Sequence, residues 1–142
     1  MLRIDYFDAS ALAKRYVEEP GSDRVRSLLV GGLVATSRIS EVEVASALAR
    51  RCREGGFSET ERDRAIQALH SDLRSLFVVE VTATVNRKSV SLLKRHPLRA
   101  ADALQLASCL ELAEQLHLGV RFVAFDSRLH KAAADEGLDV LT

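Results

Sequence analysis

Five short runs of apolar residues punctuate the sequence, and each run is nearly continuous instead of alternating with polar residues. Strands that are covered on both faces have this composition, because neither row of their side chains meets water. The pattern therefore predicts five buried strands, at Leu2–Phe7, Leu33–Thr36, Leu76–Val81, Arg121–Phe125 and Leu138–Leu141.

The segments between these runs have the spacing of amphipathic helices. Ser58 with Glu61 three residues later fits a capping box, while Gly55, Gly119 and Gly137 stand where helices are expected to end. The predicted helices are Ser10–Val17, Ser22–Val30, Ser40–Glu54, Ser58–Ser75, Thr84–Arg95, Arg99–Leu116 and Ser127–Glu136.

Alternation of strands and helices predicts a mainly parallel sheet between two helical layers, because right-handed crossovers place helices on both faces. The chain has no Gly/Ser-rich linker and no internal repeat, and its two prolines, Pro20 and Pro97, stand where helical patterns break. A length of 142 residues suffices for one core. We therefore expect a single α/β domain over residues 1–142.

Composition narrows the class of protein without identifying it. With 47% hydrophobic and 28% charged residues, the chain is typical of a soluble globular protein. No apolar run approaches the roughly 18 residues of a membrane span, and no signal-peptide pattern opens the sequence, so we expect a cytoplasmic location. Cys52 and Cys109 lack metal or redox spacing and are expected in the core. The net charge of zero gives no global sign of nucleic-acid binding.

Two aspartates stand at the ends of predicted strands. Asp8 follows the first strand and Asp126 follows Phe122–Phe125, and each precedes a helix. An N-cap explains either residue alone. However, parallel strands end at one edge of a sheet, where ligands bind in such folds, so the two carboxylates are also expected to share a site.

A third acid, Asp102, is harder to explain as a cap. At 100° per residue it shares a helix sector with the apolar residues Leu106, Cys109 and Ala113. A carboxylate on the buried side of a helix requires a compensating partner, commonly a cation or a metal.

The segment TSRISEVEVASALARR offers a fourth acid but does not identify it. Glu41 aligns with Ala45 and Leu48, whereas Glu43 falls nearer Ala47. Both glutamates are close to the helix start, so helical phasing leaves the choice between them open.

Several carboxylates at one edge would repel each other and raise each other's pKa unless a cation neutralised them. Oxygen ligands alone indicate a hard ion, Mg²⁺ or Mn²⁺, and such a site suits hydrolysis of a phosphate ester. The sequence contains neither a P-loop nor a G-x-S-x-G elbow. The histidines show no ligand spacing and are expected at surfaces or helix ends; they are His70, His96, His117 and His130.

Four motifs together resemble the PIN-domain nucleases, and most closely the VapC-type toxins of toxin–antitoxin pairs. They are YFDASALAKRYVEEPGS, TSRISEVEVASAL, LRAADALQLA and FVAFDSRLHKAA, and the resemblance runs from about Ile4 to Leu141. It implies an α/β/α sandwich that binds Mg²⁺ or Mn²⁺ and cleaves RNA.

The resemblance also assigns site residues. The family's three aspartates match Asp8, Asp102 and Asp126, and its glutamate, six residues after a Ser or Thr, matches Glu43, with Glu41 as the alternative. Ser10 matches a hydroxyl residue that either orients a water or phosphate or caps the helix.

The resemblance further implies a metal-activated water as nucleophile, and RNA held by rim cations such as Lys14, Arg15 or Arg87. It implies an antitoxin that crosses the acidic groove, and a homodimer formed through early helices. Ser22–Val30 and Ser40–Glu54 have apolar stripes suited to that contact, although core packing explains those stripes equally well.

Two other classes of protein fit less well. A receiver-like signalling domain requires adjacent acids after the first strand, but Asp5 and Asp8 are three residues apart, and no aspartate follows Val81 directly. A non-catalytic interaction module predicts a neutral residue at one of the four acidic positions, and none is present.

Overall fold

In a computed structural model, which describes residues 2–141, five strands form one sheet. They are β1 (Arg3–Phe7), β2 (Leu33–Ser37), β3 (Phe77–Val79), β4 (Gly119–Val123) and β5 (Asp139–Leu141). Their order is β3-β2-β1-β4-β5, and every neighbouring pair is parallel. The predicted parallel sheet is confirmed, with β1 at its centre.

Helices cover both faces of this sheet. They are α1 (Ala9–Ala13), α2 (Ser22–Val30), α3 (Ile39–Arg53), α4 (Glu59–Leu73), α5 (Ala83–Arg95), α6 (Ala100–Leu116) and α7 (Ser127–Asp135). One face carries α1 to α4 and the other carries α5 to α7. The predicted α/β/α sandwich is therefore confirmed. No helix within residues 2–141 is both long enough and apolar enough to cross a membrane.

The side chains of β1, the central strand, pack into two hydrophobic cores, one on each face of the sheet. Ile4 and Tyr6 point into the core beneath α5 to α7, where the Tyr6 ring stacks on Phe122 with centroids 5.7 Å apart. Phe7 and Val123 point into the core beneath α1 to α4. Because both faces of β1 are buried at these positions, apolar residues occur on both sides of the strand.

The first helix is shorter than predicted. The sequence favoured Ser10–Val17, whereas α1 ends at Ala13. Beyond that residue the backbone tightens, because the N–H groups of Lys14, Arg15 and Tyr16 bond to carbonyls three residues earlier instead of four.

The prediction at Gly119 was wrong. This glycine begins β4 and pairs with Arg3, which shifts the strand toward the N-terminus from the predicted Arg121–Phe125. Helix α6 ends instead at Leu116, and its C-cap His117 adopts a left-handed φ of 52°. Gly55 and Gly137, with φ of 85° and 90°, follow helices as predicted.

The cysteines differ in their environments. Cys109 is buried in the core as expected, but Cys52 is only half-buried, and its sulfur lies 3.9 Å from a guanidinium nitrogen of Arg62. The remaining predicted elements agree with the structure to within two residues at each end.

Candidate active site

Asp8 lies at the carboxyl end of β1 and is 4% exposed. Its Oδ1 accepts a hydrogen bond from the Ala11 N–H at 2.9 Å, so Asp8 is indeed the N-cap of α1. The Ser10 hydroxyl lies 3.1 and 2.9 Å from the two carboxylate oxygens of Asp8. Parallel register places Phe7 beside Val123, so Asp8 also stands beside the end of β4.

Burial raises the pKa of Asp8 to about 7. The negative charges of Asp102 and Glu43 contribute smaller parts of this rise, while the hydrogen bonds from Ala11 and Ser10 oppose it. The pKa of Asp8 is therefore raised chiefly because the carboxylate is buried, and the charges of the two other carboxylates add to that effect.

A cavity of about 260 Å³ opens in front of Asp8. It brings together all five residues singled out from the sequence, three of them from different helices. Its lining consists of Asp8, Ala9, Ser10, Glu43, Pro97, Arg99, Ala101, Asp102, Gln105, Asp126 and Arg128.

The structure places Glu43, and not Glu41, in this lining. The Oε1 atom of Glu43 accepts a hydrogen bond of 2.9 Å from Gln105 Nε2. Burial and the charge of Asp102 raise the pKa of Glu43. Glu41 instead lies 3.4 Å from His70 and 3.8 Å from Arg38, outside the lining.

Asp102 and Asp126 complete the acidic lining from two different helix starts. Asp102 lies in the first turn of α6, where burial and the charge of Asp126 raise its pKa. A hydrogen bond from the Arg99 backbone opposes that rise. Asp126 is the N-cap of α7, and its Oδ1 accepts bonds of 2.9 and 3.0 Å from the N–H groups of Arg128 and Leu129.

The rim cations differ from those expected. Lys14 bonds to Glu19 at 3.1 Å, Arg15 forms an ion pair of 2.6 Å with Asp72, and neither lines the cavity. Arg87 lies in the wall of a separate groove beside α5.

The cations that do line the cavity are Arg99 and Arg128, whose charges lower the pKa of Asp102. Arg128 was missed in the sequence. Its signal was its place two residues after Asp126, in the first turn of a helix.

Gln105 was also missed. It is 2% exposed and lies one helical turn after Asp102, on α6. The available signal was an amide flanked on both sides by leucine in this helix, a position that favours a specific hydrogen-bonding role.

The second acid that a receiver-like domain requires is not available at this edge. Asp5 lies on β1 and forms a two-pronged ion pair with Arg121 of β4, at 2.8 and 3.0 Å. It is therefore a partner within the sheet and does not line the cavity.

The donor set suits a hard divalent cation. The acidic residues in the lining offer only oxygen atoms, and their mutual repulsion would be relieved by a positive charge. Within residues 2–141, no group of three or more His, Cys, Asp or Glu side chains has an arrangement that could hold a metal ion. The fit of such an ion therefore rests on the oxygen donors and on the converging charge.

These features define a class of protein: an α/β/α sandwich with a carboxylate-lined cavity at the carboxyl edge of a parallel sheet. A family model described as PIN domain matches residues 6–135. The chain belongs to the PIN-domain family, as the four motifs predicted.

The curated relatives include Ribonuclease VapC45 of Mycobacterium tuberculosis (strain CDC 1551 / Oshkosh). It is 36% identical to this chain over 136 residues, which cover 95% of this chain and 92% of the relative.

Solved structures show the same fold. The sarcin-ricin loop cleaving toxin VapC20 of Mycobacterium tuberculosis superposes with a TM-score of 0.68 at 21% identity, covering 94% of this chain and 95% of that one. VapBC2 from Rickettsia felis, bound to a DNA fragment from its promoter, superposes with a TM-score of 0.66 at 14% identity, covering 97% of both chains.

Proposed function

We propose that this protein is a metal-dependent endoribonuclease that acts as the toxin of a VapC-type toxin–antitoxin pair. The observation that carries the proposal is the convergence of Asp8, Glu43, Asp102 and Asp126 on one cavity. Membership of the PIN-domain family and 36% identity to a ribonuclease support it.

In this proposal the four carboxylates hold Mg²⁺ or Mn²⁺. Such an ion supplies positive charge that stabilises phosphate oxygens during displacement and lowers the pKa of water. The cap bond from Ala11 holds Oδ1 of Asp8, and the Ser10 hydroxyl fixes the orientation of the same carboxylate. Ser10 is exposed at the cavity, so its hydroxyl is also accessible to substrate.

Arg99 and Arg128 are the proposed contacts to the RNA backbone. Both are exposed, and both line the cavity beside the acidic residues. A guanidinium can bind a phosphate through two parallel hydrogen bonds, which positions the chain of phosphates without reading its sequence.

Replacing Arg99 or Arg128 by alanine is expected to lower kcat/KM for RNA by about tenfold, because each variant loses one phosphate contact. Each variant should also show a weaker dependence of cleavage on salt. Steady-state cleavage of a fluorescent RNA at several salt concentrations measures both effects.

Arg64→Ala is the matched control, since Arg64 is an exposed arginine of α4 outside the cavity lining. If Arg64→Ala lowers kcat/KM as much as the other two variants, the cavity arginines have no special role in binding RNA.

The metal requirement has a direct test. Purified protein, freed of any antitoxin, should cleave RNA in Mg²⁺ or Mn²⁺, and EDTA should lower the rate by about two orders of magnitude or more. Adding the ion back should restore the rate. Undiminished cleavage in EDTA would exclude the metal-dependent mechanism. If the protein cleaves no cellular RNA at all, the proposed ribonuclease activity is wrong.

The proposed partners are an antitoxin and a second copy of the chain. The antitoxin would insert a basic side chain among the carboxylates of the cavity. On the early helices, Val44 and Leu48 are buried within the chain, while Val30 and Val42 are 88% and 65% exposed. The exposed valines are the proposed dimer contacts, and Val42→Glu should shift the protein to a monomer in sedimentation.

A further inference from the structure

A buried chain of hydrogen bonds reaches the cavity from inside the sheet. The Tyr6 hydroxyl donates to Gln105 Oε1 at 2.7 Å. Gln105 Nε2 in turn donates to Ser40 Oγ at 3.0 Å and to Glu43 Oε1 at 2.9 Å. Tyr6 and Ser40 are fully buried. The amide of Gln105 therefore connects the core to one carboxylate of the site.

The series of buried hydrogen bonds continues to Phe7, the residue before Asp8. Thr36 Oγ1 donates to the Phe7 carbonyl at 2.8 Å and lies 2.7 Å from Ser40 Oγ. Because the single hydroxyl proton of Thr36 is used at Phe7, Ser40 must donate to Thr36. The bonds thus run in one direction, from Gln105 through Ser40 and Thr36 to the carboxyl end of β1.

All the polar groups of the Gln105 side chain have partners. Both N–H groups of its amide donate, and its oxygen accepts from Tyr6. Burial raises the pKa of Tyr6 well above its usual value, so the phenol keeps its proton and remains a donor. A flipped amide would set its oxygen against the carboxylate of Glu43, which is unfavourable. The Tyr6 hydroxyl and the Glu43 carboxylate together therefore determine which end of the amide meets Glu43.

Three of the four elements joined by these bonds carry three of the four acidic residues. Gln105 follows Asp102 by one turn of α6, Ser40 precedes Glu43 by one turn of α3, and the Phe7 carbonyl directly precedes Asp8. A displacement of one element would break a buried hydrogen bond, which costs about 1–3 kcal/mol when a partner is left unsatisfied.

We propose that Gln105, held in orientation by Tyr6, is a positioning residue that sets the Glu43 carboxylate relative to Asp8 and Asp102. This inference rests on the proposed function, in which those carboxylates hold a divalent cation. Partners of metal ligands commonly contribute tenfold or more to metal affinity, although they do not touch the ion.

Two substitutions remove the contact in different ways. Gln105→Met keeps the length of the side chain and its helix propensity but removes both donors. Tyr6→Phe removes only the hydroxyl that orients the amide. We expect Mn²⁺ binding, measured by electron paramagnetic resonance, to weaken about tenfold in Gln105→Met and by a smaller factor in Tyr6→Phe. The value of kcat should fall with it, while the KM for RNA stays unchanged.

Tyr16→Phe is the matched control, because the chain has two tyrosines and both hydroxyls donate to a side chain. Tyr16 donates to Asp72 at 2.6 Å, away from the cavity. Thermal unfolding shows whether each variant is folded, and if Gln105→Met is not, the comparison of the two tyrosine variants decides.

Equal Mn²⁺ affinity in Tyr6→Phe, Tyr16→Phe and the unmodified protein would overturn the positioning role while leaving the proposed function intact. Absence of both Mn²⁺ binding and RNA cleavage in the unmodified protein would overturn the proposed function, and the positioning role with it.

Discussion

Replacing Asp8 by asparagine is expected to abolish RNA cleavage and, in metal-free buffer, to stabilise the protein. The variant keeps an oxygen that can accept the cap bond from Ala11 but loses the charge proposed to hold the cation. It also removes a negative charge that is 4% exposed and close to two others. Few substitutions lower activity and raise stability together, so the paired result is diagnostic.

The gain in stability should depend on pH in a defined direction. Burial raises the pKa of folded Asp8 to about 7, whereas the unfolded group keeps its ordinary pKa of about 3.9. The native protein is therefore stabilised as pH falls through 7 and Asp8 takes up a proton. We expect Asp8→Asn to raise the free energy of unfolding by up to about 4 kcal/mol at pH 8, with little gain near pH 4.

Urea unfolding with EDTA at several pH values measures this difference, and RNA cleavage with Mg²⁺ measures the activity. Ser46→Ala, at an exposed position of α3 outside the cavity lining, serves as the unrelated control. If Asp8→Asn cleaves RNA at the rate of the unmodified protein, Asp8 is not part of the catalytic site.

Replacing Glu43 by glutamine is expected to lower kcat by about two orders of magnitude or more, while the same change at Glu41 leaves the rate within about twofold. The two glutamates share a helix and a charge, but only Glu43 lines the cavity. Glu41 faces His70 and Arg38. Single-turnover cleavage with saturating Mn²⁺ separates the two variants.

Each glutamate variant is the control for the other, since both lose one negative charge from α3. A larger loss of rate in Glu41→Gln would contradict the assignment of Glu43 to the site. Equal losses of rate would indicate that RNA cleavage depends on the overall charge of α3 and not on which glutamate lines the cavity.

The strand ends were predictable from the sequence because a continuous apolar run that stops at an acid is a local signal. Asp8 and Asp126 each stand after such a run and each cap a helix in the structure. The prediction before Asp126 was wrong only in the position of the strand, since β4 begins two residues earlier than predicted and Ala124 and Phe125 lie past its end. The prediction of a site at the edge of the sheet therefore did not depend on the exact bounds of the strand.

Phasing alone did not separate Glu43 from Glu41, because both lie in the first turns of α3. That helix begins at Ile39, one residue earlier than predicted, after an Arg38 that already has helical dihedral angles. What distinguishes Glu43 is its bond to Gln105, far away in sequence. Only the resemblance to a family selected it, since helix periodicity carries no information about such a contact.

The residues that sequence reasoning missed also depend on distant contacts. Gln105 appears in the sequence as one amide inside an apolar helix, and its partners Tyr6, Ser40 and Glu43 come from β1 and α3. Arg15 was proposed to bind RNA because its partner Asp72 is 57 residues away in the sequence. Lys14 differs, since it pairs with Glu19 only five residues away.

The strand order has a consequence for synthesis of the protein on the ribosome. The central strand is translated first, yet one of its two neighbours, β4, is among the last elements to emerge. A growing chain that already contains Asp8, Glu43 and Asp102 still lacks β4 and the loop that carries Asp126. The acidic cavity can be completed only near the end of translation, so an incomplete chain released early would lack one of the four carboxylates of the proposed site.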